Sequence, residues 1–546
     1  MTGWLRETGQ KALLPPLALA TLAALVPPDY DVEIVDEEVR PLDFDTPCDL
    51  VGITGYTNHA SRMFAIAAEF RKRGVLTVGG GSYVTIDPER CRPHFDVLVC
   101  GEAERVWPQF LEDWERGGWQ TLYRGESDLD LSLSPLPRWD LVDLRPYTTA
   151  IVQTSRGCPY DCEFCDVVAL FGNRMRYKPV EQILREVEDV ARRSRKSIFL
   201  ADDNLIGNKR FIKALLRELI ALNGRLPSPV SFATQLTLNV AQDAELLDLF
   251  KRANFFMFFI GVETPREASL VETNKKHNLL MDMVEAVRRI QSRGIYIVSG
   301  LVVGFDSDDA SVFRQQSRFL MQAGLTAPML ATLKAPRGTA LWRRLEAEGR
   351  LIDGEACDTF GDYACNFIPK NMSREELEDN YLRLFRRVYS YSHFLRRFRT
   401  LVGQLDPREI ATHSPLTWRM RRRRWRDYSL AVLFMMLRFL WLGGRRDRRF
   451  FLLLIHHARR KGWAACHLIY ETLVFFISQR RFVESLVRQR TLSFHVRRDR
   501  NGRRGTRAGE TGQEPSPASE GGVLRDTQAS TETVPVNSRI TTRSPG

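Results

Sequence analysis

The segment TSRGCPYDCEFC, residues 154–165, determines how the rest of this chain of 546 residues is interpreted. Cys158, Cys162 and Cys165 follow the spacing C-x-x-x-C-x-x-C directly after a short apolar run that predicts a β-strand. Three thiolates on one such loop can bind three of the four irons of a [4Fe–4S] cluster, and the fourth iron then stays open to a small chelating ligand. The segment therefore predicts an iron–sulfur site with one open coordination position.

A structural zinc ion is the alternative for these cysteines. Tetrahedral coordination would need a fourth Cys or His, but no histidine lies between His94 and His277 and the next cysteine is Cys357. The other cysteines are scattered, which is typical of a protein in a reducing cytosol rather than of a disulfide framework. The apolar run from Leu13 to Val26 contains two prolines and continues into a predicted strand, so a secretory signal is not expected.

Residues 149–340 alternate apolar, strand-like runs with helical stretches. The predicted strands are Ile151–Ser155, Ser197–Asp202, Val230–Leu236, Met257–Glu263, Ile295–Val303 and Pro328–Leu333. Six βα units of this length are typical of a partial (β/α)6 TIM-like barrel, in which functional groups lie at the carboxyl ends of the strands. The cysteine segment follows the first of these strands, so we expect it at that end of the barrel.

Residues 1–120 show a shorter form of the same alternation. The predicted strands are Val32–Asp36, Leu50–Thr54, Leu76–Gly79 and Val97–Cys100. This rhythm predicts a doubly wound, Rossmann-like α/β domain. Such a domain usually opens with a strand, whereas this chain begins at a helix, so we expect the first strand to be missing. Residues 121–148, with prolines among acidic and small residues, are interpreted as a linker.

The net charge of +12 arises from the carboxyl-terminal part of the chain. Between Arg419 and Arg500 there are 21 Lys and Arg against 5 Asp and Glu, whereas the rest of the chain carries 58 against 62. We predict a helical extension over residues 341–410, a basic amphipathic helical region over 411–498 and a disordered tail over 499–546.

The basic region suggests a partner. Its apolar runs, flanked by arginine, suit helices that lie on an anionic membrane surface through residues 419–490, although none is long enough to span a bilayer. A helical cap on the barrel is the alternative. Nucleic acid is not expected as a partner, because the apolar runs exceed what a basic arm needs.

The cysteine segment resembles that of the radical S-adenosylmethionine (SAM) superfamily, whose motif places an aromatic residue before the last cysteine, here Phe164. The resemblance implies that the open iron chelates SAM, whose reductive cleavage gives a 5′-deoxyadenosyl radical. It also implies SAM contacts at other strand ends: Asp202, Asp203 and Asn204 after the second barrel strand, Glu263 after the fourth, and Gly300 and Gly304 along the fifth. Each of these residues could instead cap a helix or form a tight turn.

The amino-terminal domain resembles the cobalamin-binding domain that precedes many radical SAM enzymes. The residues that carry this resemblance, and that it implies as cobalamin contacts, are Thr54, Thr57, Gly79, Gly80, Gly81 and Glu102. Glycines at a strand end let a large planar ring approach the backbone. The chain lacks the D-x-H-x-x-G loop that supplies a lower axial histidine in many such domains, and His59 is not expected to replace it. A nucleotide-binding or purely structural α/β domain is the alternative.

In overall order the chain resembles cobalamin-dependent radical methyltransferases, most of all the hopanoid C-2 methylase-like group, through residues 155–166, 202–208 and 261–265. The resemblance implies a [4Fe–4S] cluster, SAM and cobalamin as cofactors, and methyl transfer to an unactivated carbon of a lipid-like substrate of the hopanoid or isoprenoid type. It also implies an electron donor such as flavodoxin or ferredoxin, and a cytoplasmic location, either free or peripheral on the inner face of the membrane. Two alternatives stay open: ring closure or carbon–carbon bond formation without methyl transfer, and a non-catalytic cobalamin or iron–sulfur sensor.

Overall fold

The computed structural model describes residues 10–194, 196–352, 365–406, 437, 444–458, 461, 472–473, 475–476 and 538–543. Two six-stranded sheets organise this part of the chain, one in the amino-terminal domain and one in the following domain. The predicted order of a Rossmann-like domain, a parallel-stranded domain and a helical carboxyl-terminal region is confirmed.

The amino-terminal sheet contains β1 (Asp31–Asp36), β2 (Leu50–Thr54), β3 (Leu76–Gly80), β4 (Val97–Cys100) and β5 (Leu122–Arg124). Its helices are α1 (Leu17–Ala23), α2 (Ala60–Lys72), α3 (Ser82–Ile86), α4 (Pro88–Cys91) and α5 (Val106–Glu115). Strands β2 to β5 run parallel and adjacent in chain order. In α2 the buried residues Met63, Ile66, Ala67 and Phe70 recur with the helical period, which gives this helix one apolar face for the core.

The second sheet contains β6 (Ala150–Val152), β9 (Ile198–Leu200), β10 (Phe232–Leu236), β11 (Phe255–Glu263), β12 (Tyr296–Val303) and β13 (Ala327–Thr332). These strands are parallel and lie side by side in chain order, as consecutive βα units require. A separate antiparallel ribbon, β7 (Ser155–Arg156) with β8 (Arg176–Tyr177), follows β6. The predicted (β/α)6 arrangement therefore has all its carboxyl strand ends on one face.

The helices of this domain pack against the sheet. They are α6 (Val167–Phe171), α7 (Val180–Arg193), α8 (Lys209–Arg225), α9 (Ala244–Arg252), α10 (Glu267–Glu272), α11 (Met283–Ser292) and α12 (Val312–Ala323). Helix α7 shows why they form: Ile183, Val187 and Val190 are fully buried at three- and four-residue spacing, and charged residues occupy the other face. These side chains join the large apolar core beneath the sheet.

The carboxyl-terminal region described here is helical, with α13 (Ala340–Ala347), α14 (Arg374–Val388), α15 (Tyr391–Gln404) and α16 (Arg445–Ala458). Helix α14 begins with a capping box between Ser373 and Glu376. The fully buried Arg397 of α15 donates to the carbonyls of Leu325 and Val388 at 2.8 and 2.6 Å, which fixes α15 to the barrel. Much of the predicted membrane-facing region lies outside the described residues. Within them, no helix combines the length and apolar character needed to cross a bilayer.

The last described strand, β14 (Ser538–Arg543), lies between β1 and β2 and pairs antiparallel with both. Its β-branched residues Ile540, Thr541 and Thr542 favour an extended backbone. This differs from the prediction that residues 499–546 are disordered; the rest of that tail lies outside the described residues. The sheet was expected to lack its first strand, and in the structure β14 lies between β1 and β2.

Candidate functional site

The cysteine loop is closed at its base by the β7–β8 ribbon. Arg156 in β7 is paired with Arg176 in β8, so the residues between them, including all three predicted cluster ligands, form one loop. Gly157 opens this loop with φ +91°, and a Cβ there would lie 2.6 Å from the carbonyl oxygen of Arg174. Glycine is therefore required where the loop leaves the ribbon.

Contacts to the barrel hold the loop in place. The ring of Tyr160 stacks on His277 at a centroid distance of 3.7 Å, and its hydroxyl accepts a hydrogen bond from Asn239 at 3.0 Å. Glu163 forms a bidentate ion pair with Arg344 of α13. The loop is thus anchored before any cofactor binds, which reduces the cost of ordering the ligands.

The three cysteines are partly buried, and their sulfurs fit an iron–sulfur cluster. All three thiols are free, so each is available as a ligand. Burial raises the pKa of Cys162 to about 11 and that of Cys165 to about 12, so binding of iron would displace protons from these thiols.

The donor set does not fit a single metal ion. Among the described residues, no three His, Cys, Asp or Glu side chains converge as one ion would require. Cys158, Cys162 and Cys165 nevertheless lie close enough for the thiolates to influence one another's pKa. In a cubane each thiolate binds a different iron, so three neighbouring thiols on one anchored loop suit a [4Fe–4S] cluster.

The strand end after β9 supports the loop from below. Oδ1 of Asp202 accepts hydrogen bonds from the amides and hydroxyls of Thr154 and Ser155. Asp203 accepts the amide of Gly157 at 2.9 Å, and burial raises its pKa to about 7. Asp202 and Asn204 are buried, at 3% and 1% exposure. Asp202 and Asp203 thus support the turn that leads into the loop, Asp203 is the partly exposed member of the trio, and the contact of the three residues with SAM stays a prediction.

Glu263, the predicted SAM contact at the end of β11, forms a buried ion pair with Lys275. Lys275 donates to the Glu263 carboxylate at 2.6 Å, and both residues are less than 10% exposed. Burial opposes the charge of Lys275, but Glu263 holds its pKa above the ordinary value. The Lys275 ammonium also lies 5.7 Å from the centroid of the Phe164 ring. A positive charge therefore lies beside the cysteine loop, and sequence reasoning missed it.

The backbone around Glu263 is unusual. Glu263 has φ +61°, a conformation that side-chain-bearing residues rarely adopt, and the register between β11 and β12 shifts at this point. A Cβ on Gly261 would lie 2.3 Å from the Glu263 carboxylate and 2.9 Å from the Lys275 ammonium. Gly261 thus provides the space in which the ion pair packs.

Gly300 and Gly304, the predicted adenine-side glycines of β12, differ in their surroundings. Gly300 pairs in register with Gly261, and a Cβ there would meet the Phe259 ring at an ordinary 3.8 Å. Gly304 has φ +108° and its amide donates to Asp308 at 2.9 Å. Gly304 is therefore required for the turn that ends the strand, and the SAM contact of both glycines stays a prediction.

The predicted cobalamin edge lies at the carboxyl ends of β2 and β3. Gly81 has φ +90°, and a Cβ there would lie 2.2 Å from the hydroxyl of Thr54. Gly80 has more room, because a Cβ there would lie 3.5 Å from the carbonyl oxygen of Val99. Thr57 begins a short 3-10 turn after β2. Because Gly81 has no side chain, the hydroxyl of Thr54 packs against its backbone and the two strand ends meet closely; their contact with cobalamin stays a prediction.

Gly79 and Glu102 have protein partners of their own. Gly79 is buried and a Cβ would lie 2.7 Å from the Phe95 ring, so the glycine makes room for core packing. The Glu102 carboxylate is buried, with one oxygen bound to Arg156 at 2.7 Å and the other to Arg176. These contacts account for both residues within the fold, and their contact with cobalamin stays a prediction.

His59 lies inside the domain. It is 6% exposed, and its Nδ1 accepts the amide N–H of Tyr56 at 3.1 Å. Burial lowers the pKa of His59 to about 4, so the imidazole is neutral at physiological pH.

The two predicted sites lie on elements that meet between the domains. Helix α3, which begins directly after Gly81 at the predicted cobalamin edge, contacts α6, which begins two residues after Cys165. Tyr56, in the loop after β2, is 66% exposed. The elements that carry the cobalamin edge and the cysteine loop therefore adjoin.

Comparison with known proteins agrees with this geometry. The profile of the Radical SAM superfamily matches residues 152–313, that of the B12 binding domain matches residues 11–111, and a domain of unknown function (DUF4070) matches residues 339–491. The chain is 34% identical over 398 residues to an uncharacterized methyltransferase of Synechocystis sp., covering 72% of this chain and 74% of that protein. It is 32% identical over 359 residues to the hopanoid C-2 methylase of Rhodopseudomonas palustris, covering 64% and 68%.

A more distant relative is the bacteriochlorophyllide d C-12(1)-methyltransferase of Chlorobaculum tepidum, 26% identical over 398 residues, with 71% of this chain and 85% of that protein covered. The solved structure of the cobalamin-dependent SAM radical enzyme OxsB shares the fold, with 14% identity, a TM-score of 0.52, and coverage of 88% of this chain and 79% of that chain. The chain belongs to the cobalamin-dependent radical SAM methyltransferases. Its cofactors are a [4Fe–4S] cluster, SAM and cobalamin.

Proposed function

We propose that this enzyme transfers a methyl group to an unactivated carbon of a lipid-like, isoprenoid-type substrate such as a hopanoid. The observation that carries the proposal is the contact between α3, which begins directly after Gly81 at the predicted cobalamin edge, and α6, which begins two residues after Cys165. Methylation of an unactivated carbon needs hydrogen abstraction and methyl delivery at one substrate atom, and therefore needs both cofactors to reach the same space.

Within this proposal Cys158, Cys162 and Cys165 ligate three irons. Lys275 and Glu263, on the barrel side of the loop, offer one positive and one negative group to the zwitterionic methionine part of SAM. Thr54, Thr57, Gly80 and Gly81 form the edge that receives cobalamin. When bound, the cluster supplies the electron that cleaves SAM, and cobalamin supplies the methyl group that it receives from a second SAM.

The overall reaction balances with two electrons. Substrate R–H and two SAM give R–CH3, methionine, 5′-deoxyadenosine and S-adenosylhomocysteine. One electron cleaves the C5′–S bond of the first SAM, and the resulting radical takes a hydrogen atom from the substrate carbon. The second electron would supply the reduction that cobalamin, held at the edge of Thr54, Thr57, Gly80 and Gly81, needs between methyl transfers. We infer a low-potential protein donor such as flavodoxin or ferredoxin for both electrons, and a cytoplasmic enzyme.

Helix α16 supports a lipid substrate. Phe450, Phe451 and Leu454 are buried on one face of this helix. On another face Leu452 and Leu453 are 56% and 38% exposed, and the lining of a surface groove there also includes Arg445, Arg448, Arg449 and His456. Exposed leucines among arginines suit the interface of an anionic membrane. We infer that the enzyme collects its substrate at that surface, and binding to anionic rather than neutral vesicles tests this.

The proposal is tested by anaerobic incubation with reductant, hydroxocobalamin and SAM that carries a deuterated methyl group. The mixtures contain either a hopanoid hydrocarbon or bacteriochlorophyllide d, and mass spectrometry follows the label. Label in the hopanoid, with 5′-deoxyadenosine and S-adenosylhomocysteine formed together, supports the proposal. Label in the tetrapyrrole refutes the lipid class but retains methyl transfer. Formation of 5′-deoxyadenosine with no cobalamin-dependent S-adenosylhomocysteine refutes methyl transfer and favours ring closure or carbon–carbon bond formation.

A further inference from the structure

Two arginines at the base of the cysteine loop are bound by two glutamates of the cobalamin-binding domain. Arg156 donates to Glu102 at 2.7 Å and to Glu104 at 2.5 Å, and Arg176 donates to the other oxygen of Glu102. The arginines are direct partners in the β7–β8 ribbon. Without the glutamates, two like charges would stand side by side at the point where the loop begins and ends.

This ion-pair cluster is buried, and its two negative and two positive charges cancel. The side-chain exposures of Glu102, Glu104, Arg156 and Arg176 are 1%, 5%, 11% and 9%. Although burial opposes ionisation, Arg156 holds the pKa of Glu104 below its ordinary value. Another ion pair between the two domains, Arg337 with Asp87, differs because Arg337 is 56% exposed. Exposed pairs contribute little to geometry, whereas a buried set of hydrogen-bonded ion pairs can specify one arrangement.

The glutamates are rigidly connected to the predicted cobalamin edge. Gly101, with φ +80°, donates its amide to the hydroxyl of Thr85 at 2.9 Å, and Thr85 lies in α3, which starts immediately after Gly81. On the other side, a Cβ on Gly125 would overlap the backbone of Glu102 at 1.8 Å. The turn that presents the glutamates therefore has almost no freedom to move relative to the edge.

We propose that Glu102 and Glu104 are positioning residues that hold the base of the cluster loop, through Arg156 and Arg176, at a fixed place relative to the corrin ring. This inference rests on the proposed use of both cofactors at one substrate carbon. The two ends of the loop are held by one rigid turn, so a shift of the cobalamin edge carries the cluster ligands with it. Misplacement of reacting groups by about 1 Å can cost about 100-fold in rate.

The test uses the full-length enzyme loaded with cluster and cobalamin. Glu104→Gln removes one charge of the cluster, and Glu126→Gln is the matched control, because Glu126 forms an exposed pair with Arg105 in the same domain. The first measurement is the magnetic interaction between the reduced cluster and cob(II)alamin by electron paramagnetic resonance. The second is the ratio of 5′-deoxyadenosine to S-adenosylhomocysteine.

Wild type and Glu126→Gln are expected to share one well-defined magnetic interaction. In Glu104→Gln the interaction weakens or broadens at unchanged iron and cobalamin content, and the product ratio rises about 10- to 100-fold because methyl transfer fails while SAM is still cleaved. The double variant Glu104→Gln with Arg156→Gln restores charge balance without the connection. Its ratio stays high if the residues position the loop, and returns to the wild-type value if they only balance buried charge.

Three results overturn the inference. They are an unchanged magnetic interaction in Glu104→Gln, a wild-type product ratio in the double variant, or loss of the cluster from both Glu104→Gln and the double variant. The last result would assign the glutamates to folding of the loop. The magnetic comparison does not depend on the substrate. If the wild-type enzyme methylates none of the compounds offered, the proposed function fails while the positioning inference is still decided.

Discussion

The buried pair of Lys275 and Glu263 gives a sharp prediction for the cluster-free protein. Replacement of Lys275 by Gln leaves the Glu263 carboxylate without its cation in a site where both residues are less than 10% exposed. Removing one partner of such a pair costs about 3–5 kcal/mol, because the remaining charge stays buried. With about 2–4 °C per kcal/mol for a domain of this size, the barrel's melting temperature falls by about 6–20 °C.

A double-mutant cycle measures the coupling. The variant with both Lys275→Gln and Glu263→Gln keeps two hydrogen-bonding side chains without charge, so we expect it to lose about 1–2 kcal/mol. It should therefore be more stable than Lys275→Gln alone. Lys213→Gln is the control, because Lys213 pairs with Asp243 and Glu245 on a more exposed surface, and its effect should stay within about 1 kcal/mol. Scanning fluorimetry and urea unfolding give these values. The coupling would be refuted if Glu263→Gln lowered the free energy of unfolding by the same amount in the Lys275→Gln variant as in the wild type.

Three further predictions follow from individual residues. Gly81→Ala should weaken cobalamin binding and cost about 1–2 kcal/mol of backbone strain plus overlap with Thr54. Gly74→Ala is the control, because Gly74 has a similar φ of +74° with open space around it. Cobalamin titration curves that are the same for the two variants would contradict the argument. Asp308 has its pKa raised by burial from 3.8 to about 6. Its stabilising contribution, up to about 3 kcal/mol, is present below pH 4 and lost as the pH rises through 6, so urea midpoints of wild type and Asp308→Asn should converge over that range rather than diverge. Cys158→Ala should remove cluster absorbance and reductive SAM cleavage, and turnover by a folded Cys158→Ala protein would refute the ligand assignment.

The cluster site was accessible to sequence reasoning because it is local. Cys158, Cys162 and Cys165 lie within eight residues on one loop, so their spacing alone restricts the geometry. The strand and helix periods were similarly readable, and the predicted strands overlap β6 and β9 to β13. Gly79 and Glu102 show the limit: a glycine or a carboxylate at a strand end has the same letters whether it meets a ligand, a phenylalanine ring or an arginine.

By itself, therefore, the sequence determined the class of chemistry and the order of the two α/β domains, because both are written in spacings of a few residues. Only the tertiary structure decided which charges meet. Glu102 lies 54 residues from Arg156 and 74 from Arg176. Such pairs form because folding buries charges that must find partners, and the choice of partner depends on the packing of the whole chain.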